Sequence, residues 1–437
     1  MSRFRNALLL CAAVITVTPL ASCSSSDSPT APVVPSAGNP YAPVAHDGLA
    51  ASTAEAEGIS KTALDQLVAD AIDQKSDALV VLRNGKIIYE SYFGTDSGPI
   101  VAMSASKSFV SLAYGFMLAD QSLASLDVPV VKFDPAFADV DPRKAGVTIR
   151  QLLSQTSGIG PWRASDVGGG NDIMAYANRS PLIFAPGTGW QYSNNGVDFL
   201  SALSSSITGR RLDTYLYDKL FTPIGVPGTG TAWHYDANGA PYGAGGIGIR
   251  PIDMAKVGQV ILSGGTWNGK QIIDPNWIAQ SEAISSPYNG QYGLLWWRMA
   301  PTIDFTLTND LLDQWEGNGI ATSLTAKLRA AAGTSEPTWP DFSAFLRSLV
   351  TSDDIATINN AIATLDHFPP ARIEDVGPAT GFYFSGSLGQ YMYFVPAKNL
   401  VAVRMRRETA ADAALMSSTT ELNGFPLFFA DVDRLVP

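Results

Sequence analysis

The strand-forming signals of this chain sit at its two ends, and that placement restricts the fold more than any single motif. Near the N-terminus, Ala78 to Leu82 and Ile87 to Phe93 flank Asn84-Gly85. Two β-type runs around Asn-Gly specify a hairpin, because both turn residues accept a positive φ. Near the C-terminus, Tyr391 to Val395 and Leu400 to Met405 form a second pair joined by a turn at Pro396 to Asn399. Between the pairs, apolar residues recur at helical spacing, as in Ile149-Leu152-Leu153 and Leu200-Leu203-Ile207, with Gly- and Pro-rich connections. The economical architecture is an α+β fold. Its N- and C-terminal segments share one antiparallel sheet flanked by helices, with a mainly helical domain inserted between them.

The expected boundaries follow from these shifts in texture. A sheet subdomain takes about residues 46–118 and 376–437, and a helical subdomain about 119–300. In the first, Ser60 is placed to cap a helix carrying Leu64, Leu67, Val68, Ala71 and Ile72 on one face. A further helical insertion covers about 301–375, with helices expected at Thr322 to Ala332, Asp341 to Val350 and Ser352 to Leu365. Trp315, Trp339, Phe342, Phe345 and Leu346 supply its apolar side chains. The insertion reads either as a wall or lid over a cleft between the subdomains, or as a decoration around its own small core.

Residues 1–22 read as a leader: Arg3 and Arg5 precede an apolar run from Ala7 to Ile15, too short for a transmembrane span. Leu20-Ala21-Ser22-Cys23 resembles a bacterial lipobox, so Cys23 is the expected lipid attachment site, an ordinary secretory signal being the alternative. Residues 23–45, rich in Ser, Pro and Ala, then form a flexible tether. On this reading the chain is exported and lipid-anchored to a bacterial membrane, in the periplasm or cell envelope. Cys11 is lost with the leader and Cys23 is lipidated, leaving no pair for a disulfide.

Composition narrows the function further. The chain has 29 Lys and Arg against 40 Asp and Glu, a net charge of -11, which argues against nucleic acid as a partner. Its three histidines, His46, His234 and His367, are scattered, so neither a zinc site nor a Ser-His-Asp triad is expected. No Gly-x-Ser-x-Gly elbow occurs.

Ser104-Ala105-Ser106-Lys107 is the one Ser-x-x-Lys of the chain. It lies between the irregular Ser97-Gly98-Pro99 and the apolar Phe109-Val110-Ser111-Leu112-Ala113. Ser104 is thereby placed near a helix N-terminus, with Lys107 one turn along the same face. A serine hydroxyl needs a base to become a nucleophile, and a lysine whose surroundings disfavour its charge can serve. A proton route can come from a tyrosine. Tyr192-Ser193-Asn194 lies between Pro186-Gly187-Thr188-Gly189 and Asn195-Gly196, turn formers that can hold a phenol in a cleft, whereas Tyr176-Ala177-Asn178 reads as packing.

Together with Ser104-x-x-Lys107 and Tyr192-x-Asn194, several longer stretches carry a family resemblance. They are Val147-Thr148-Ile149-Arg150-Gln151-Leu152-Leu153-Ser154-Gln155-Thr156-Ser157-Gly158, Gly245-Gly246-Ile247-Gly248-Ile249-Arg250-Pro251 and Tyr292-Gly293-Leu294-Leu295-Trp296-Trp297. The chain resembles the serine β-lactamase-related family, which includes class C β-lactamases, D-alanyl-D-alanine carboxypeptidases and family VIII carboxylesterases. The later stretches look most like its 6-aminohexanoate-dimer hydrolase and esterase branch. The resemblance implies Ser104 as nucleophile, Lys107 and Tyr192 as the proton-transfer pair, and Asn194 as a group that orients the substrate or Lys107. It also implies an oxyanion hole from the backbone N–H groups of Ser104 and Ser387, and tilts Trp162 toward the substrate site. The family's Lys-Thr-Gly strand is absent; its best match is Phe384-Ser385-Gly386-Ser387, with Ser385 and Gly386 as the expected substrate edge. Phe384 at the lysine position removes a cation suited to a substrate carboxylate.

The expectation is an exported serine hydrolase that cleaves small ester or amide substrates through an acyl-enzyme, with no metal or cofactor. The alternatives are a D,D-peptidase or β-lactamase, and a catalytically silent lipoprotein that binds cell-wall peptides.

Overall fold

The computed structural model describes residues 43–160, 172–364, 371–410, 412, 425 and 427–437. The leader, Cys23, most of the tether and Trp162 lie outside the described residues.

Seven strands form the main sheet: β1 (Ala50–Ala51), β2 (Ala78–Arg83), β3 (Lys86–Ser91), β4 (Trp297–Met299), β5 (Gly381–Gly386), β6 (Gln390–Val395) and β7 (Leu400–Met405). Their spatial order is β1-β3-β2-β7-β6-β5-β4. The two ends of the chain meet at its centre, where β7 runs antiparallel to β2 from Leu400 opposite Arg83 to Met405 opposite Ala78. The hairpin at Asn84-Gly85 forms as its sequence dictates, with Arg83 opposite Lys86 and φ of 53° and 76° at the two turn residues.

Two features of the sheet differ from the sequence expectation. The sheet is not wholly antiparallel, since β1 pairs with β3 in parallel. A two-residue edge strand carries no periodic signal from which its direction could be read. The edge strand β4 comes from the end of the region assigned to the helical subdomain, because Trp297–Met299 pairs with β5.

Alternation along the strands builds two layers of core. Leu79, Val81, Tyr383, Tyr391, Tyr393 and Ala402 face one side. There they pack on α1 (Lys61–Asp73) and α6 (Phe428–Arg434) through Leu64, Leu67, Phe428 and Phe429. Ser60 caps α1 by accepting the Ala63 N–H at 3.3 Å. Ile72, expected on the buried stripe, is instead 56 % exposed, because α1 meets the sheet along a face narrower than five positions. On the other side Val80, Leu82, Phe382, Phe384, Phe394 and Val401 pack on α2 (Ser106–Ala119) and α4 (Pro251–Leu262). This second layer continues into the helical region, including α3 (Asn194–Thr208).

The insertion has a core of its own, with Phe305, Leu311, Leu312, Trp315, Leu328 and Phe342 at its centre. The expected helices appear as Thr322–Arg329, Trp339–Leu349 and Ser352–Thr364, preceded by α5 (Asn309–Gly317). It is not purely helical. Ile303–Thr306 pairs with Ser335–Glu336 and with Arg372–Val376 in a three-stranded sheet. These strands are short and charged, so they escape a search for apolar alternation.

Phe384, at the position where the resemblance puts lysine, points into the core. Its ring centroid lies 5.1 Å from Trp296, 5.8 Å from Phe109 and 6.1 Å from Phe394. Writing lysine there therefore places an ammonium among three aromatic rings rather than in the cleft. We expect Phe384→Lys to cost about 3–5 kcal/mol of stability, read as a lowered urea midpoint, without new acylation by a labelled penicillin. A stable variant that gained such labelling would show that this side chain can reach the cleft.

Candidate active site

The backbone around Ser104 is shaped by three neighbours. Ser104 occupies the 3-10 turn Met103–Ala105, immediately before α2. The Ala102 N–H donates to the Ile247 carbonyl at 2.8 Å, which ties the turn to a small sheet of Ile100–Val101, Thr231–Trp233 and Ile247–Ile249. Ser106 Oγ donates to the Met103 carbonyl at 2.6 Å and accepts the Ile247 N–H at 3.2 Å. Met103 has φ 49°, a left-handed conformation costly for a side chain of this size, and it persists because the flanking bonds and Leu388 hold it.

The second neighbour is β5. Its ladder with β4 covers Gly381, Phe382 and Tyr383 and stops there, so Phe384 to Gly386 continue past the end of β4. At Gly386 a Cβ would stand 2.3 Å from the Ala102 carbonyl oxygen and 2.9 Å from both the Ser104 nitrogen and Met103 Cβ. Only glycine lets the strand lie this close to the turn. Ser385 and Ser387, on either side of Gly386, are half-buried. Ser387 opens a 3-10 turn, Ser387–Gly389, in which Leu388 has φ 65°. The buried Arg404 of β7 grips that turn, donating to the carbonyls of Leu388 and Gly389, and reaches Ser76 Oγ at 2.7 Å and the Gln74 carbonyl at 2.8 Å. Burial with neutral acceptors pulls the Arg404 guanidinium down to about 10, and it stays charged at neutral pH.

Lys107, on the first turn of α2, is 1 % exposed. Its Nζ donates to Ser104 Oγ at 2.9 Å and to the Ala244 carbonyl at 2.7 Å, and lies 4.8 Å from the centroid of the Tyr192 ring. Tyr192 is buried in an aromatic cluster, stacked on Trp297 at 6.0 Å, with Tyr292 edge-on at 6.3 Å. Ser193 caps α3 by accepting the Gly196 N–H, and Asn194 is the buried first residue of that helix. Ser104, Lys107 and Tyr192, more than eighty residues apart in sequence at the extremes, thus converge around Lys107 Nζ. Ser385, Gly386 and Ser387 approach the same turn from the sheet side. Trp297 stacks on Tyr192, and Trp296 is core. Tyr176 sits half-buried on the helix Ile173–Arg179.

Two contributors escaped the sequence reading. The carbonyl of Ala244 fixes Lys107, and the Ala244 N–H in turn donates to Asp198 Oδ1 at 2.7 Å. A backbone carbonyl has no sequence signature. Asp198 did carry one: it stands one turn beyond Asn194 among Val197, Phe199 and Leu200, an acid on the buried face of an apolar helix.

The geometry offers a serine hydroxyl in contact with a buried amine, beside a strand edge and at the start of a helix, where backbone N–H groups can meet developing negative charge. The close approach at Gly386 is its most exposed dependency. Gly386→Ala is expected to push β5 off the Ser104 turn and lower turnover by about a hundredfold. Esterase kinetics alongside circular dichroism would check this, with a folded variant of undiminished turnover as the contrary result.

The comparisons with known proteins agree with this geometry. The Beta-lactamase family model matches residues 64–413. Esterase EstB of Burkholderia gladioli is 30 % identical over 176 residues, covering 34 % of this chain and 44 % of that protein. The 6-aminohexanoate-dimer hydrolase of Paenarthrobacter ureafaciens is 25 % identical over 261 residues, covering 51 % and 64 %. The chain thus matches less than two thirds of the length of either relative. In fold, a candidate beta-lactamase of Bacteroides dorei superposes with a TM-score of 0.57 at 18 % identity, over 86 % of this chain and 99 % of that one. A family model spanning most of the sequence, and a fold shared across the same span, lead to one conclusion: this chain belongs to the Beta-lactamase family.

Proposed function

We propose that the protein is a serine hydrolase that cleaves small, uncharged ester or amide substrates through an acyl-enzyme on Ser104. The observation that carries the reading is the 2.9 Å contact between Lys107 Nζ and Ser104 Oγ, with the amine almost wholly buried. A side-chain nitrogen in contact with the hydroxyl is placed to take its proton. In the first half-reaction Ser104 Oγ bonds to the substrate carbonyl carbon as its proton passes to the Lys107 and Tyr192 pair. The carbonyl oxygen becomes an oxyanion facing the N–H groups of Ser104 and Ser387. Collapse breaks the bond to the leaving alcohol or amine, which takes that proton. Water then attacks the acyl carbon, gives a proton to the same pair, and releases the acid with Ser104 restored.

Substrate charge follows from the strand beside Ser104. Phe384 is turned into the core, so no lysine stands at the place where the β-lactamase motif has one. A substrate carboxylate would lack that partner, which favours an uncharged substrate. The esterase named among the relatives favours esters as the first class to try. Ser104→Ala and Lys107→Ala are each expected to reduce hydrolysis of p-nitrophenyl butyrate by at least about a thousandfold. Activity surviving in Ser104→Ala would sink the reading. Absence of activity in the unaltered protein would move a penicillin or a D-alanyl peptide to the front.

Export and anchoring belong to the same proposal and rest on Leu20-Ala21-Ser22-Cys23. In a bacterial host, labelled palmitate is expected to enter the full chain and to be lost in Cys23→Ser. Equal labelling of both proteins would reject the lipid site.

A further inference from the structure

The insertion does more than enclose its own core: it takes hold of the peptide that carries Tyr192. Residues 190 to 193 have no helical or strand structure, so no ladder or helical turn fixes the position of that tyrosine. Side chains do so instead, from two directions. On one side is Gln155, whose carbonyl accepts the Gln191 N–H at 2.9 Å and whose Oε1 accepts the Ser193 N–H at 2.8 Å. On the other side is the insertion. Gln314 of α5, 1 % exposed, donates from Nε2 to the Trp190 carbonyl at 2.6 Å and to Gln191 Oε1 at 3.1 Å.

Gln314 is itself held. Its Oε1 accepts Arg372 Nη2 at 2.7 Å, which leaves the amide nitrogen facing the Trp190–Gln191 peptide. Arg372, also 1 % exposed, pairs through Nε with Asp310 Oδ2 at 3.0 Å and donates through Nη1 to the Trp190 carbonyl at 3.4 Å. Its guanidinium lies 5.1 Å from the Tyr288 ring centroid. The docking is close in its backbone as well. At Gly317, the last residue of α5, a Cβ would stand 2.1 Å from the Ile183 carbonyl oxygen, so any larger residue would lift the helix away.

A peripheral decoration has no need of two wholly buried polar side chains aimed at one irregular segment, since each costs stability unless fully bonded. We propose that Gln314 and Arg372 are positioning residues for Tyr192, and that the insertion exists in part to set the place of this proton-transfer group against Lys107. The proposal rests on Tyr192 having that role. Neither residue touches the reacting atoms; they act through the Trp190–Gln191 backbone.

A double-mutant cycle on the full-length protein, read with p-nitrophenyl butyrate, separates this from mere structural support. Gln314→Leu is expected to lower kcat by about tenfold with KM changed less than about twofold, and to shift the pH profile of kcat. In a Tyr192→Phe background the same substitution should change kcat by less than about twofold, because the group it positions is gone. Arg372→Met should follow the same pattern, with Arg372→Lys recovering part of the loss, and it replaces Gln314→Leu in the cycle if that variant does not fold. Equal losses in both backgrounds, or no loss in either, would overturn the proposal. Full kcat in Tyr192→Phe alone would instead remove the role assigned to Tyr192, an outcome distinguishable from failure at Gln314.

Discussion

The arrangement depends on how closely one strand can approach one turn. The strand Gly381–Gly386 lies against the Ala102–Ser104 backbone with room for a hydrogen at residue 386 and nothing larger. That contact sets the Ser104 N–H beside the strand edge, and so determines where a carbonyl can sit between the two. The sheet supplies the rigidity. Its strand lies next to the edge of a seven-stranded layer whose central pairing joins the N- and C-terminal segments of the chain. The turn on the far side of Gly386 is gripped by Arg404 from two strands away, which leaves little freedom for the backbone on either side of Ser387.

The opposite wall is made differently. Lys107 stands on the first turn of α2, whereas Tyr192 lies on a segment without helix or strand, held by individual polar contacts rather than by a ladder. An amine this deeply buried must have partners. Ser104 Oγ and the Ala244 carbonyl supply two, the second fixed through the bond from the Ala244 N–H to Asp198. Ser104 and Lys107 are therefore held by a sheet contact and a helix start, and the segment bearing Tyr192 by side-chain and backbone hydrogen bonds.

This difference also explains how much could be read from the sequence. The hairpin at Asn84-Gly85, the strand pair around Pro396 to Asn399 and the layered alternation were legible, because periodicity and turn chemistry are local properties. Ser104 and Lys107 were legible for the same reason, being one helical turn apart. Tyr192 needed the turn formers around it and the family resemblance. The parallel pairing of Ala50–Ala51, the joining of Trp297–Met299 to the sheet edge and the small sheet of the insertion were not legible, since each strand is too short or too charged to show a period. The inward turn of Phe384 is a third kind of case. Its identity was plain, but whether position 384 faced cleft or core depended on register, and one step along a strand reverses the face.

The insertion belongs with the second wall. Its apolar residues close around Trp315 and Phe342 in a cluster apart from the main core. The face bearing Gln314 and Arg372 meets a segment near the site that has no helix or strand of its own. A sheet can place a backbone through its ladder and a helix through its turns, whereas an irregular segment takes its position from whatever binds it. Gln155 bonds the Trp190–Ser193 segment from one side, and Gln314 and Arg372 bond its Trp190 carbonyl from the other. If Tyr192 has the role proposed for it, the place where the extra subdomain docks bears on catalysis as well as on stability, because the segment it steadies carries the ring that faces Lys107.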